Sequence, residues 1–507
     1  MSYFEKLKAG IKAGLNSSQR DHVQYRTASL LEMICSMAHN GVGMCFYMLA
    51  MRASYIGTEG YAIPVTVVGL ILTVTKAFDG LTDAIAAAIF ERFPAGKNGK
   101  IRVLFATGWV IEALAVLLLY SWASGKFSGI AGLILFTVTH VTYTLGYTLA
   151  VISAGTSATV LTNDPIQRPM MAFVDMAFSY GTPILMNMFL SFAILPKYDN
   201  QWNVPALREA GYIHVGFAFI LMLVTCFGVR KVDVKETFET LSDDKEEKVK
   251  FRDMWNVLRH NRAAQMYIVT CATDKFAASV ASEAVVTTMV AGILIGSYKA
   301  TSLIGGATSI IGLICAFSGG IFIAKVGVKK ATSIWSWACI ALSVASIVFY
   351  VVLGKDGMSL ISVAAVPTII YLVLQMGITA AKMILSTASS AMRGDIVDYE
   401  LERSGKYMPA VVYGVYSFIS KLVSSLSSTI SALCVALLGY TTTMPQMGDE
   451  PTTGLFWMAI FLSTVMPILG WICNIVAMKF YELDKERMVE VQRNIAQKKA
   501  EAYQMGD

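Results

Sequence analysis

Charged residues are scarce in this chain. Asp, Glu, Lys and Arg make up 15% of its 507 residues, whereas an ordinary soluble domain contains about 25%. Hydrophobic residues make up 55%. A protein with so few charges cannot expose most of its surface to water. The composition therefore excludes an ordinary soluble domain and indicates a membrane protein.

The chain also lacks the short motifs that carry enzymatic chemistry. It contains no P-loop for ATP, no HExxH zinc motif and no nucleophile elbow. Its eight cysteines show neither CxxC nor metal-ligand spacing and fall inside apolar runs, as small buried hydrophobic residues do. We therefore expect no enzymatic activity, no cofactor and no nucleic-acid partner.

Long apolar runs account for most of the sequence. About 20 apolar residues cross a bilayer as a helix, and a helix satisfies its own backbone hydrogen bonds in lipid. The runs are too long for barrel strands, which need about ten residues of alternating character. We predict an all-α membrane protein with twelve transmembrane helices in two six-helix halves. The predicted spans are 28–51, 64–90, 101–124, 128–160, 169–195, 211–229, 263–296, 300–325, 331–354, 359–392, 409–440 and 454–480.

The most charged stretch separates the two halves. We predict a cytoplasmic amphipathic N-terminus over 1–27, halves over 28–229 and 263–480, a cytoplasmic linker over 230–262 and a solvated cytoplasmic tail over 481–507. Most of the 41 Lys and Arg residues fall on the side of the bilayer that holds both termini. The positive-inside rule places that side in the cytoplasm. We expect a multi-pass protein of the bacterial cytoplasmic (inner) membrane.

The second predicted span carries three ionisable residues, which are expensive in a bilayer and by default mark a pathway. Lys76, Asp79 and Asp83 share one helical face, because residues three and four apart are neighbours on a helix. Two carboxylates one turn apart repel, so a cation or proton between them is stabilised. We predict a coupling or gating role. The alternative is a structural network in which Lys76 neutralises Asp79.

Three further lysines lie within predicted spans. Lys421 and Lys382 each share one helical face with serine and threonine residues at helical spacing. Helices that line a water-filled cavity show this pattern. Lys275 directly follows Asp274, so it either contacts a substrate or pairs with that carboxylate. The sequence alone does not place the other acidic residues near spans, which are Glu32, Glu112, Asp175 and Glu283.

Polar and aromatic residues of the first and fourth spans form another group. Asn40 and Tyr47 share a face of the first span, and Tyr147 and Thr148 lie in the fourth. A tyrosine offers a ring face and a hydroxyl, which suit the C–H faces and hydroxyls of a sugar. Ordinary helix packing is the alternative. His39 and His140 are each either a proton carrier or a hydrogen-bonded core residue.

Three motifs occur in order along the chain. The first is Lys76…Asp79…Asp83 with Gly99-Lys100-Ile101-Arg102 after it, the second is Asp395-Ile396-Val397-Asp398-Tyr399-Glu400, and the third is Lys421. In this order they resemble the glycoside–pentoside–hexuronide:cation symporter family, and the resemblance covers nearly the whole chain.

This resemblance implies a major facilitator fold with an alternating-access site between the halves. It implies that Asp79, Asp83 and Thr148 form the cation site, with H+ or Na+ as the coupling ion and the two aspartates as Na+ ligands. It also implies that the sugar is bound near Asn40, Tyr147 and Lys421. We assign gating to Lys76, Asp395 and Asp398.

The chain departs from this pattern at several positions. Val151 stands where the family pattern has a fourth-helix aspartate, and Asn40 replaces a first-helix aspartate. The fifth-helix arginine has no clear counterpart near Asp175, and Val103 replaces a proline. Losing a carboxylate weakens Na+ binding, because a hard cation needs several oxygen ligands. With the lysines retained, the charge balance favours an anionic substrate such as a glucuronide.

These observations give one hypothesis with three alternatives. We expect a monomer in the lipid bilayer that carries a sugar or sugar conjugate together with a coupling cation. The alternatives are an uncoupled sugar facilitator, suggested by Val151, a lipid or lysolipid translocator of the same fold, and a transporter-like sensor. The residues expected to face the substrate are Asn40, Tyr47, Tyr147, Lys275, Lys382 and Lys421.

Overall fold

The computed structural model is almost entirely helical. It describes residues 27–94, 96–162, 167–235, 237, 259–404 and 409–504, together with the backbone of 19–20 and 23–24. These two pairs are the antiparallel strands β1 (Gln19–Arg20) and β2 (Val23–Gln24). Most of the predicted N-terminal segment 1–27 and linker 230–262 lies outside the described residues. The all-α prediction is confirmed for the rest of the described chain.

Within the described residues, six long helices precede the predicted linker and seven follow it. The first group is α1 (Leu30–Ala50), α2 (Val65–Arg92), α3 (Ile101–Leu117), α4 (Gly129–Gly155), α5 (Gln167–Phe189) and α6 (Val204–Val229). The second group is α7 (Arg262–Ser282), α8 (Tyr298–Val326), α9 (Val328–Gly357), α10 (Ala365–Ser404), α11 (Pro409–Leu437), α12 (Thr453–Phe480) and α13 (Lys485–Gln504).

Ten stretches of the described chain are long and apolar enough to cross a membrane. The count is eleven if α7 and the helical segment Ala284–Leu294, bent by 53° from it, form one span. Helix α2 is not among them, although its 28 residues measure about 42 Å and a hydrocarbon core is about 30 Å thick. The protein is therefore a multi-span membrane protein, and the predicted number of twelve spans is not confirmed one by one.

The contacts divide the chain into two compact units. The N-terminal unit holds residues 1–64 and 78–246, and the C-terminal unit holds 65–77 and 247–507. The boundary therefore falls inside α2, whereas the sequence analysis assigned the whole second span to the first half. The limits predicted for the linker, 230–262, stay a prediction.

The first part of α2 packs closely on α11 within the C-terminal unit. A Cβ atom on Gly69 would lie 2.5 Å from Ala432 Cβ and 2.9 Å from the carbonyl oxygen of Ser428. Thr73 Oγ1 donates to the carbonyl oxygen of Ser425 at 2.9 Å. Small residues allow helix backbones to approach closely in a membrane, where buried hydroxyls then bond across the interface. The charged residues of α2 begin at Lys76, three residues after Thr73 in this contact.

The start of α3 is held by one buried carboxylate that follows α6. Asp233 accepts hydrogen bonds from the backbone N–H groups of Lys100, Ile101 and Arg102 at 2.7–2.9 Å. Arg102 Nε also donates to it at 3.1 Å. Gly99 has φ 83°, and a Cβ there would lie 1.9 Å from Asp233 Oδ2. The backbone of the motif Gly99-Lys100-Ile101-Arg102 therefore surrounds the Asp233 carboxylate at the N-terminus of α3. Negative charge is favoured at a helix N-terminus.

Helix α13 is docked on the C-terminal unit, so the expectation of a solvated tail is wrong. Val491 has no exposed surface. Leu483, just before the helix, belongs to a buried apolar cluster with Ile396 of α10. Arg487 Nη2 donates to Glu402 Oε2 of α10 at 3.2 Å. Most of the α13 sequence is polar, but the helix also has a short apolar stripe that is buried against α10.

We predict that Asp233→Asn destabilises the protein by about 3 kcal/mol, because the amide nitrogen would face N–H donors and leave Arg102 without its buried partner. The measurement is urea unfolding of the purified protein in detergent micelles. The control is Asp356→Asn, which breaks the exposed Lys355–Asp356 pair and should have little effect. Equal midpoints for the two variants would contradict the role given to Asp233.

Candidate functional site

Asp79 of α2 contacts hydroxyl groups of the N-terminal unit. Thr148 Oγ1 of α4 donates to Asp79 Oδ1 at 2.7 Å, and Thr82 Oγ1 lies 3.3 Å from the same oxygen while donating to the Asp79 carbonyl oxygen at 2.9 Å. The two hydroxyl oxygens are 3.2 Å apart, and both residues are buried. The structure thus brings together two predicted coupling residues, Asp79 and Thr148. It adds Thr82, which the sequence analysis missed.

These three oxygens fit a small hard cation or a proton. Carboxylate and hydroxyl oxygens are the ligands that hard cations prefer. Within the described chain, no group of three or more His, Cys, Asp or Glu side chains could hold a metal ion. Asp83, the other predicted cation residue, lies one turn further along α2 and is half-buried. The donor set around Asp79 is thus suited to a singly charged ion.

Tyr147 and Val151 lie on the face of α4 that meets α1. A Cβ atom on Gly43 of α1 would lie 3.7 Å from Val151 Cγ2 and 3.9 Å from Tyr147 Cε2. The Tyr147 ring stacks on that of Tyr143, with centroids 6.3 Å apart. Val151 is 40% exposed. An accessible apolar side chain therefore stands where the family resemblance implies a carboxylate.

Asn40 of α1 is hydrogen-bonded to α5. Its Nδ2 donates to the carbonyl oxygen of Asp175 at 3.3 Å and to the hydroxyl of Ser179. His39 lies beside the Asp175 carboxylate. Tyr47, two turns along α1, is 36% exposed. Asp175, which the sequence alone did not place, is thus next to a predicted substrate residue.

Lys76 pairs with a carboxylate of the C-terminal unit. Its Nζ donates to Glu283 Oε1 at 3.1 Å and to Ser428 Oγ at 2.7 Å. The hydroxyls of Ser427 and Ser428 donate to the same Glu283 oxygen at 3.1 and 2.9 Å. Glu283 is 3% exposed and lies at the bend after α7. These four residues, called the Lys76–Glu283 network below, join α2 and α11 to the α7 bend.

Lys382 of α10 lies beside Asp274 and Trp471. Its Nζ is 5.5 Å from the centroid of the Trp471 ring, within the range of a cation–π interaction. Lys382 also acts electrostatically on Asp274 of α7, and the Trp471 indole N–H donates to that carboxylate. Lys275, which the sequence also suggested as a partner of Asp274, is exposed. The Asp274 carboxylate thus lies in the field of the Lys382 ammonium group and beside the Trp471 indole.

A small cavity of the C-terminal unit is lined in part by Asp274. Ser389, from the stripe that contains Lys382, is one of its lining residues, and its hydroxyl lies 2.9 Å from Cys271 Sγ. The lining residues are Thr270, Cys271, Asp274, Thr332, Leu385, Ser389, Met392 and Asn474. Of the α10 residues that line the cavity, Ser389 is polar, and Leu385 and Met392 are apolar.

The remaining predicted residues lie on α10 and α11. Lys421 is half-buried, and Ser424 Oγ donates to its carbonyl oxygen at 3.2 Å. Asp395 and Asp398 lie near the end of α10. Gln492 Nε2 of α13 donates to Asp398 Oδ2 at 2.7 Å. Asp398 therefore connects α10 to the docked tail helix.

Sequence reasoning left out Glu283 and Asp274 as site residues, although both are ionisable groups in or next to predicted spans. An ionisable residue within a span is energetically costly, and the sequence alone shows only that cost. Its partner lies on another helix, and a single sequence does not say which helices are neighbours. Only the coordinates could pair Glu283 with Lys76 and Asp274 with Lys382.

Comparisons with known proteins agree with this architecture. Residues 35–485 match the family model for MFS/sugar transport protein. The chain is 23% identical to the "Uncharacterized symporter YjmB" of Bacillus subtilis (strain 168), over 87% of this chain and 89% of that protein. It is 20% identical to the "Putative glycoside/cation symporter YagG" of Escherichia coli (strain K12), over 88% and 90%.

A solved structure supports the fold alone. The nucleoside transporter NupG superposes with a TM-score of 0.56 at 11% identity, covering 90% of this chain and all of that chain. The major facilitator fold, the resemblance to glycoside–cation symporters and the expectation of a transporter rather than an enzyme are confirmed. A family model that spans nearly the whole chain leaves one conclusion: this protein belongs to the MFS/sugar transport protein family.

Proposed function

We propose that this sugar transporter is a symporter that couples entry of a glycoside to entry of H+ or Na+, with uronic-acid glycosides such as glucuronides as the favoured substrates. One observation carries the proposal: the Asp79 carboxylate of α2 accepts a hydrogen bond from Thr148 and lies 3.3 Å from the Thr82 hydroxyl. Carboxylate and hydroxyl oxygens are the ligands that hard cations prefer, so a cation bound there is stabilised. The names of the relatives, both symporters, support coupled transport.

The proposed substrate residues lie in both units. In the N-terminal unit, the Asn40 amide and the Tyr147 ring are groups that bind sugar hydroxyls and C–H faces. In the C-terminal unit, Lys382 and Lys421 supply ammonium groups. An ammonium group binds a carboxylate through charge-assisted hydrogen bonds, so these lysines favour an acidic sugar. The rest of the proposed set is Tyr47 and Lys275.

The Lys76–Glu283 network has the properties of a gate. Both charges are held in a low-dielectric setting, so separating them requires new partners for each. Such a pair favours two discrete arrangements over a continuum, as alternating access requires. We assign gating to Lys76 on this ground. Asp395 and Asp398 are proposed for the same role at the end of α10, where Asp398 is bound by Gln492.

The setting proposed for this activity is a bacterial inner membrane, with a monomer whose two termini are cytoplasmic. The excess of Lys and Arg on the side of the termini supports this orientation.

We predict that proteoliposomes accumulate labelled 4-nitrophenyl β-glucuronide above equilibrium when an inward gradient of H+ or Na+ is imposed. Asp79→Asn should abolish accumulation, because the cation loses its carboxylate. Thr148→Val should raise the half-saturating cation concentration about tenfold, through loss of roughly 1.4 kcal/mol of cation binding. Uptake is measured with either gradient or neither.

The matched control is Thr144→Val, one turn earlier on α4. Its hydroxyl donates to the carbonyl oxygen of His140 in its own helix at 3.1 Å, so coupling should be unchanged. Equilibration without accumulation by the unmodified protein would contradict coupling. It would favour an uncoupled facilitator, the alternative that the exposed Val151 supports.

We predict that Lys421→Gln and Lys382→Gln each raise the KM for the glucuronide about tenfold but change the KM for the matching neutral 4-nitrophenyl β-glucoside less than twofold. The lost interaction is with the substrate carboxylate, which the glucoside lacks. Equal effects on both substrates would show that neither lysine recognises the acid group.

We predict that Lys76 and Glu283 are energetically coupled. Lys76→Met and Glu283→Gln should each destabilise the protein, because each leaves a charge or polar partner without its counterpart in a buried site. The double variant should be more stable than the sum of the two losses predicts, by about 2 kcal/mol. The measurement is a double-mutant cycle by unfolding in detergent. Additive losses would mean that the pair contributes no coupling.

A further inference from the structure

A second pair of ionisable groups lies on α1 and α5, separate from the Asp79 group. His39 Nδ1 is 2.8 Å from the carbonyl oxygen of Ser36 on the same helix. A carbonyl oxygen only accepts, so Nδ1 carries the ring hydrogen. In the neutral ring, Nε2 then presents a lone pair, and it lies 4.0 Å from Asp175 Oδ1. Two hydrogen-bond acceptors therefore face each other across the α1–α5 contact.

The carboxylate oxygen of this pair is buried without a hydrogen-bond donor. Among the described residues, none donates to Asp175 Oδ1. The His39 side chain is 13% exposed and that of Asp175 38% exposed. Two facing acceptors repel, and a buried oxygen that lacks a donor costs free energy. A proton on Nε2 removes the repulsion between the two acceptors, because it turns Nε2 into a charged donor that is attracted to Oδ1 across the 4.0 Å between them.

The ion-pair contact of each member is with the other member. Glu32 of α1 has its own partner, Lys231, at 2.7 Å. Other titratable side chains described on the helices next to α1 are His140, Tyr143 and Tyr147 of α4, Tyr180 of α5, and Arg208, Glu209, Tyr212, His214 and Cys226 of α6. A proton on the pair is thus held first by the contact between His39 and Asp175.

The pair lies in the first third of two candidate membrane spans. His39 follows Leu30 by nine residues in the span Leu30–Gly60, and Asp175 follows Met170 by five residues in the span Met170–Tyr198, which is about 13 and 8 Å along the helices. A hydrocarbon core is about 30 Å thick. A partly exposed carboxylate within a span marks a path for an ion or a proton.

We propose that His39 and Asp175 form a proton-binding dyad that carries one proton per transport cycle, which makes H+ a coupled ion whichever cation binds at Asp79. This inference rests on the proposed symport. The proton comes from water on the side to which Asp175 is open, forms an N–H bond at Nε2, and is stabilised there by the negative charge of the Asp175 carboxylate. It leaves when that N–H bond breaks towards water on the opposite side.

The dyad is connected to the proposed sugar site through Asn40. The Asn40 amide donates to the backbone carbonyl of Asp175 and to Ser179, so it bridges the same two helices as the dyad. A proton that draws His39 towards Asp175 therefore acts on the contact that orients Asn40. Two ligands that favour the same arrangement of one contact bind cooperatively, as symport requires.

The first test measures the dyad without any substrate. Purified full-length protein with 15N-labelled histidine is titrated by NMR, and the signal of His39 is identified among the five histidines by its loss in His39→Gln. We expect Asp175→Asn to weaken proton binding at His39 at least tenfold, because the opposite charge is removed without a change of shape. An unchanged titration midpoint in Asp175→Asn would overturn the dyad.

His214 provides the matched histidine. Its Nδ1 also contacts a backbone carbonyl oxygen, that of Ala210 at 2.7 Å, but the charged group that acts on it is Arg52. Its titration should not respond to Asp175→Asn. A shift of both histidines would show a general structural change and would overturn a specific His39–Asp175 pairing.

The second test measures transport of 4-nitrophenyl β-glucuronide in proteoliposomes. We expect His39→Gln and Asp175→Asn to lower accumulation driven by an inward proton gradient at least tenfold, while exchange of internal for external substrate continues. His214→Gln should keep both activities. Unchanged proton-driven accumulation in both dyad variants would overturn the proposal. If the unmodified protein carries no glucuronide, the proposed substrate class fails, and the NMR titration alone decides whether the dyad binds a proton.

Discussion

The cost of holding a charge in a medium of low dielectric constant governs the arrangement of the polar residues in this protein. Moving a carboxylate out of water costs several kcal/mol, and partners must compensate for that loss. The partners here come from other helices: Lys76 for Glu283, Lys382 and Trp471 for Asp274, and Thr148 for Asp79. Each such pair fixes the register of two helices within its unit.

The chemical type of the neighbouring groups distinguishes these carboxylates. Glu283 lies 3.1 Å from the Lys76 ammonium group, so an opposite charge of the protein is in contact with it. Asp79 accepts a hydrogen bond from the Thr148 hydroxyl, and the Thr82 hydroxyl lies 3.3 Å from the same oxygen. A charge pair suits a gate, because it opens only when both members find new partners. Carboxylate and hydroxyl oxygens together suit the binding of a hard cation.

Hydropathy and the family motifs predicted the helical membrane architecture, because spans are long local features of the sequence. The contact between Asp79 and Thr148 was expected only through the family resemblance. The partners of Lys76 and His39 could not be predicted, since a helix face does not reveal which helix lies opposite. The docked tail escaped prediction for a related reason. The apolar stripe of α13 with Val491 is short, and the sequence around it is as polar as a solvated helix.

The choice between H+ and Na+ follows from how many ligands each ion needs. Na+ is a hard cation that needs several oxygens at once, and the replacement of a family aspartate by Val151 removes one of them. A proton needs only one basic atom and one neighbouring acceptor. His39 Nε2 and Asp175 Oδ1 provide both at 4.0 Å on two packed helices. In the proposed symport, a proton at this pair therefore needs no further oxygen ligand, and it binds beside Asn40, the residue proposed to hold the sugar.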